Sequence, residues 1–156
     1  MSGFLNVRDT LNGKEGRAYA TIDGRNIAMF YLKKVEASIK KNKTPKNVLG
    51  GRATQNKATG WAGSGTLTMY YMTSEFRALM LEYVNTGKDI YFDLTFVNDD
   101  PASDVGIQTV VLKRCNLDEV PIALLDVDNN ALEESLTFTF EGVDMPDKFK
   151  EPELLS

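Results

Sequence analysis

Along most of this chain apolar and polar side chains alternate with a period of two, the pattern of strands that turn one face to a core and the other to water. From Asp89 to Val97 the alternation is clean. Ile90, Phe92, Leu94 and Phe96 fall on one side, and Asp89, Tyr91, Asp93, Thr95 and Val97 on the other. The turn residues Asn98-Asp99-Asp100-Pro101 end it. Leu136, Phe138 and Phe140 alternate with Ser135, Thr137, Thr139 and Glu141 in a last strand. Near the start, Arg17 to Ile22 and a run from Asn26 read as two strands joined at Asp23-Gly24, a pair that supplies the positive φ values of a type I′ turn. The second of these is long: from Tyr31 to Ile39 it sets Tyr31, Val35, Ala37 and Ile39 against Leu32, Lys34, Glu36, Ser38 and Lys40. Gly65 to Met72 and Ile107 to Leu117 are further strands; Asp118 to Pro121 interrupts the latter, and Ile122 to Val127 continues it. One segment changes period. Phe76, Leu79, Met80, Tyr83 and Val84 recur at spacings of three and four, which predicts a helix over 74–86 with Ser74 as its N-cap and Gly87 in the C′ position. Its stripe reads as core rather than as a cofactor box. The expected fold is mainly β, of the α+β kind: one domain over 1–156, built as two packed antiparallel sheets or an open β-barrel of about six or seven strands flanked by the one helix.

Three stretches stand outside this pattern. Residues 1–15 form a polar N-terminal arm whose apolar cluster is Phe4, Leu5 and Val7. Residues 42–63 read as a long inter-strand loop rich in Lys, Asn, Thr and Gly, and loops of that length in a compact domain are usually functional. Its Gly50-Gly51 lacks the GxxxxGK[ST] arrangement of a phosphate loop and opens no helix. Trp61, near the loop's exit, is an expected anchor, either onto its own barrel or onto a neighbour. Residues 143–156 form an acidic, proline-punctuated tail. Asp126, Asp128 and Asn130 have the spacing that opens a calcium loop. Ala131 stands where that loop needs glycine and Thr137 where it needs glutamate, so the segment reads as a hairpin turn.

The chain has 156 residues, 42% hydrophobic and 26% charged, with no histidine and a single cysteine, Cys115. The missing histidine removes the Ser-His and Cys-His nucleophile pairs and the usual zinc and iron ligand sets. One cysteine supports neither an internal disulfide nor a thiolate cluster, which fits a reducing compartment. The carboxylate pairs Asp99-Asp100 and Glu133-Glu134 read as loop solvation rather than as acid-base machinery. No cofactor, metal or catalytic residue is expected. No apolar stretch approaches the ~20 residues that cross a bilayer. The first residues have no apolar core of a signal peptide, so folding in a cytoplasm is expected.

The net charge of −4 is unremarkable, but its distribution is not. Between Lys33 and Lys57 eight basic residues (Lys33, Lys34, Lys40, Lys41, Lys43, Lys46, Arg52, Lys57) face a single acid, Glu36; between Asp118 and Glu153 eleven acids face two lysines. A basic run binds nucleic acid, binds an acidic protein surface, or is simply solvated. Because the complementary acidic region is on the same chain, head-to-tail association of copies is the favoured reading, and such contacts build rings or filaments. The alternative is a nucleic-acid-binding β-barrel that uses the Lys33 to Lys57 segment on phosphate. Against it, no aromatic residue stands between Lys40 and Ala58 for bases to stack on.

An ordered set of features then becomes informative: the Asp23-Gly24 hairpin, the Lys-rich strand, Gly60-Trp61 with Gly63-Ser64-Gly65-Thr66, the junction Tyr70-Tyr71-Met72-Thr73-Ser74-Glu75-Phe76-Arg77, Gly87, Tyr91-Phe92, and Leu136-Thr137-Phe138-Thr139-Phe140 followed by acids. From about Gly16 to Phe149 this set resembles the tail tube proteins of contractile phages, and among them the PBSX-type prophage tube proteins. The resemblance implies two packed antiparallel sheets flanked by a helix, an outline shared with the tube protein of type VI secretion. It implies rings of six subunits joined sheet to sheet, stacked into a tube whose lumen conducts DNA, and a structural role without catalytic residues. Implied partners are copies of the chain itself, then tail sheath, baseplate and tape-measure proteins; DNA is met only in passage, and no membrane is involved. The place implied is the virion tail, with the host cytoplasm during assembly. By analogy the long loop and the N-terminal arm reach neighbouring subunits, which makes Phe4, Leu5, Lys40, Lys41, Lys43, Lys46, Arg52, Lys57 and Trp61 the inter-subunit candidates. Candidates to face the lumen are Asp89, Asp93 and Thr95, or Ser135, Thr137, Thr139 and Glu141.

Overall fold

A computed structural model, which describes residues 7, 13, 15–29 and 31–151, has eight strands and one helix among the described residues. They are β1 (Gly16–Ile22), β2 (Arg25–Ala28), β3 (Leu32–Lys46), β4 (Gln55–Tyr70), α1 (Glu75–Thr86), β5 (Phe92–Asp99), β6 (Ile107–Glu119), β7 (Glu133–Phe140) and β8 (Gly142–Asp147). The mainly β expectation with one helix holds. Pairing gives an open antiparallel sheet in the order β2-β1-β5-β6-β7-β4-β3, with β8 on β6. The chain divides into two compact units, and β6 contributes to both.

The first unit takes residues 1–32, 91–115 and 142–156. Asp23 and Gly24 both have positive φ, 50° and 78°, as the turn between β1 and β2 requires. Ala20 sits between Ile27 of β2 and Leu94 of β5, and Ala20, Ile22, Phe92, Leu94, Leu112 and Cys115 are buried. The predicted alternation of β5 is borne out, residue by residue, from Phe92 to Phe96. Opposite it β6 carries a bulge: Phe92 pairs with Cys115 but Leu94 with Leu112. Within the bulge Arg114 has a φ of 53° and donates its backbone N–H to Asp93 Oδ1 at 3.1 Å, while its guanidinium lies 4.4 Å from the Tyr91 ring. Residues 143–147, expected as the start of a tail, instead form β8 against β6, from Lys113↔Gly142 to Thr109↔Asp147. Pro146 obscures that strand in the sequence, and proline is tolerated because the strand has a free edge.

The second unit takes residues 33–90 and 116–141. β4 and β7 pair from Gly63↔Phe140 to Tyr70↔Glu133, and Leu67, Met69, Leu136, Phe138 and, from α1, Phe76 are buried. Gly87 closes α1 as expected, with a φ of 75° and its N–H on the Tyr83 carbonyl at 2.8 Å. The N-terminus differs: Ser74 makes no side-chain cap, and Thr73 Oγ1 accepts the Glu75 N–H at 3.3 Å. The apolar stripe is core only over its first turn, where Phe76 is buried; Tyr83 and Val84 are exposed.

Three more expectations are corrected. The strand after the first hairpin is two strands, because the chain turns at Met29, whose carbonyl accepts the Leu32 N–H at 3.1 Å. The loop of residues 42–63 is mostly sheet: β3 runs on to Lys46 and β4 starts at Gln55, leaving a turn over 47–54. These strand ends expose both faces, so no alternation marks them. Conversely, residues 122–127 form no strand. Ile122, Leu125 and Val127 are exposed, and an apolar run without a paired backbone is not a strand. The turn reading of residues 126–130 holds, with Asp126 Oδ1 accepting the Asp128 N–H at 3.1 Å.

Candidate assembly surface

The basic residues gather on the outer part of the β3–β4 hairpin. Lys40, Lys41, Lys43 and Lys46 lie on β3, Arg52 in the turn and Lys57 on β4, all exposed. Among the described residues none of these six cations has an ion-pair partner, whereas Lys33, Lys34, Arg17 and Arg77 do. The backbone geometry explains how so polar an arm keeps its shape. Thr59 Oγ1 donates to the Asn42 carbonyl across the hairpin at 3.2 Å, Thr54 Oγ1 to Asn47 Oδ1 at 3.4 Å, and Gly50 supplies a φ of 85° at the turn. β3 ends the strand order, so it is an edge, and Pro45 with six lysines along it discourages pairing with an arbitrary strand.

Where the arm meets the buried part of β4, Trp61 packs on its own chain while remaining 43% exposed; its ring centroid is 6.1 Å from that of Phe140. Phe140 in turn lies 6.3 Å from Phe138, both tilted as aromatic pairs prefer. The rings occupy the space above two glycines: a Cβ at Gly63 would meet Phe140 at 2.4 Å, and one at Gly65 would meet Phe138 at 2.5 Å. Gly63-Ser64-Gly65 is thus a seat for two phenylalanines. Phe4 and Leu5 lie outside the described residues.

The opposite face of the β4–β7 pair is a ladder of hydroxyls. Ser64 pairs with Thr139, Thr66 with Thr137 and Thr68 with Ser135, the last two oxygens 3.4 Å apart. Lys33 crosses onto this face at one end, 2.5 Å from Glu133 and 5.9 Å from the Tyr70 ring. That hydrogen bond, followed by the charge of Glu133, raises the Lys33 ammonium above its ordinary value. Glu141, exposed, follows the other end of β7. The remaining lumen candidates belong elsewhere. Asp93 and Thr95 are half-buried on β5, Asp93 engaged by Arg114, and Asp89 accepts a hydrogen bond from Asn116 Nδ2 at 2.6 Å.

Two buried groups complete the picture. Glu134 is not solvated, as its sequence neighbourhood suggested, but buried against Arg77 of α1. Arg77 also donates to the Thr73 carbonyl and lies 4.3 Å from the Tyr71 ring, so one guanidinium fastens the helix to β7. Asp99 and Asp100 are likewise structural: Asp99 faces Arg17 at 3.5 Å, and the buried Asp100 accepts the Ala102 N–H at 2.9 Å. The Cys115 thiol is pushed up to about 12, chiefly by burial and secondarily by Asp93, which leaves it an inert apolar group. No described helix is long and apolar enough to cross a membrane.

Comparison with known proteins places this geometry. Residues 3–147 match a family model described as phage tail tube protein. The phage-like element PBSX protein XkdM of Bacillus subtilis (strain 168) is 45% identical over 147 residues, which span 94% of this chain and 97% of that protein. In fold, the chain resembles the PVC sheath/tube terminator of an extracellular contractile injection system in its extended state. The TM-score is 0.68 at 12% identity, over 91% of this chain and 100% of that one. It also resembles the SPP1 tail tube, with a TM-score of 0.62 at 12% identity over 92% and 81% of the two chains.

Proposed function

The chain belongs to the phage tail tube protein family, and from that premise we propose that copies of it join into rings of six and stack into a hollow tube that conducts DNA. The observation that carries this reading is the hairpin arm. It is a long two-stranded element exposed on both faces, with six cations that have no ion-pair partner among the described residues, on a chain whose acids concentrate after Asp118. A two-stranded ribbon without a covered face gains little from its own chain. Its cover comes from neighbouring copies, and its lysines select an acidic surface over any passing strand edge. The N-terminal arm with Phe4 and Leu5 is a second such contact.

The hydroxyl face formed by Ser64, Thr66, Thr68, Ser135, Thr137 and Thr139 is the wall offered to the DNA. Phosphate contacts made by cations release counterions and hold DNA in place, whereas neutral hydroxyls let it pass. The role is structural rather than catalytic. Tail sheath, baseplate and tape-measure proteins are its further partners, and assembly takes place in the host cytoplasm before the subunit reaches its place in the tail.

Electron microscopy of the concentrated protein tests the proposal. Hollow filaments about ten nanometres across are expected, roughly two domain diameters plus a channel. Folded protein that stays as single molecules at every concentration and ionic strength would refute it.

A further inference from the structure

Two features of the second unit remain unused by this reading. One is a cleft of about 290 Å³ where α1, the segment after it and the end of β6 come together, lined by Leu79, Met80, Tyr83, Ile90 and Leu117. Asp89 and the exposed Asp118 add two carboxylates to the same lining. The other feature is the tip of the hairpin. Leu49 there is fully exposed and Val48 half so, and Lys46 and Arg52 flank them along the chain. The tip is held in shape. Gly50 has a positive φ, the Gly51 N–H bonds the Val48 carbonyl at 3.3 Å, and the Asn47–Thr54 side chains close the turn. A tip already ordered loses little freedom when it docks.

We propose that the hairpin tip of one copy seats Leu49 in this cleft of a second copy, with Lys46 and Arg52 against Asp89 and Asp118. The inference rests on the tube reading above and names a contact within it. Charge agrees and each surface has an apolar part: an apolar anchor flanked by cations meets a hollow in which Leu79, Met80, Ile90 and Leu117 stand beside Asn116 and the two carboxylates. The contact is head-to-tail, because tip and cleft are different surfaces of the same chain, and it therefore propagates instead of closing as a dimer.

The test uses the full chain with Cys115→Ala, which removes its only thiol, and with Leu49→Cys and Tyr83→Cys added. After assembly and mild oxidation, a non-reducing gel is expected to show a ladder of covalent multimers from the double-cysteine chain and none from either single one, since a disulfide needs Cα atoms within about 7 Å. Tubes that form without the ladder overturn the docking and leave the tube reading intact. A Cys115→Ala chain that is folded and never assembles overturns both.

Charge reversal supplies a second readout that does not depend on the cysteines. Lys46→Glu with Arg52→Glu is expected to raise the concentration needed for assembly about ten-fold or more, and adding Asp89→Lys with Asp118→Lys to restore it. Impairment without restoration counts against the pairing.

Discussion

Residues 55–62 and 63–70 are consecutive halves of one strand, β4, and they obey different physics. The later half pairs with β7, buries Leu67 and Met69, and accepts the rings of Phe138 and Phe140 onto Gly63 and Gly65. Every other position is dictated by the chain's own core. The earlier half, with the part of β3 beside it, is exposed on both faces and carries cations that have no ion-pair partner among the described residues. Its shape is held by backbone pairing and a few threonine hydroxyls, and its side chains are free to serve a contact outside the chain. Substitutions should therefore divide sharply between fold and assembly.

The largest loss of fold stability is expected at the fastening of the anchored half. Glu134→Ala leaves the Arg77 guanidinium buried without its carboxylate, and removing one partner of a buried pair costs about 3–5 kcal/mol. Denaturant unfolding measures it, and the adjacent Glu133→Ala is the control. Glu133 holds only the half-exposed Lys33, so its removal is expected to leave the unfolding midpoint almost unmoved. Equal effects at the two positions would mean that the helix is not anchored through Arg77.

Next in size is a contrast between glycines on the same strand. Gly65→Ala places a Cβ 2.5 Å from the Phe138 ring and 2.9 Å from the Glu36 carbonyl oxygen, and such overpacking costs about 1–3 kcal/mol. A Cβ at Gly60 meets nothing within 4 Å, so Gly60→Ala is expected to be neutral or slightly stabilising. If the two variants unfold alike, the division of β4 proposed above is wrong.

The same division decides what was legible beforehand. The β5 alternation, the Leu136 to Phe140 pattern, the Asp23-Gly24 turn and the Gly87 cap are written in residue type, because a half-buried strand or a left-handed backbone admits few side chains. The outer hairpin was taken for a loop because a strand wet on both faces leaves no hydrophobic period. Arg77 and Glu134 are far apart in sequence, and a lone acid beside another acid signals water until its partner is seen. The apolar run at Ile122 to Val127 suggested a strand, but hydrophobicity alone does not create a backbone partner. The cleft draws on three separate segments, and no local pattern points to it. The assembly proposed above draws on a signal one level higher, the separation of basic and acidic regions along the chain.

The pH dependence of stability is expected from Cys115, buried in the first unit, and from Lys33 on β3. The thiol of Cys115 ionises near 9.0 in the unfolded chain and only at about 12 when folded. A raised folded value gives stability that is complete below pH 9 and is lost as pH climbs toward 12, by up to about 1.4 kcal/mol per unit. Lys33, also raised, loses its contribution in the alkaline range above 10.5. Unfolding free energies from pH 8 to 11 should therefore fall, and Cys115→Ala should flatten the decline between 9 and 10.5, where Lys33 is still charged. An unchanged slope would place the titration elsewhere.

The smallest effect on the fold is expected where the effect on assembly is greatest. Lys40→Glu, Lys41→Glu and Lys43→Glu together change three exposed side chains without an ion-pair partner among the described residues, and surface changes of this kind stay within about 0.5 kcal/mol each. Unfolding of the triple variant should match the parent, and its circular dichroism should be unaltered. Its assembly should require far higher concentration, with a gap that narrows as salt screens the charges at both surfaces. Loss of stability alongside assembly would show that the arm belongs to the chain's own core. Unchanged assembly would remove the electrostatic argument and leave the arm to act through shape and Leu49 alone.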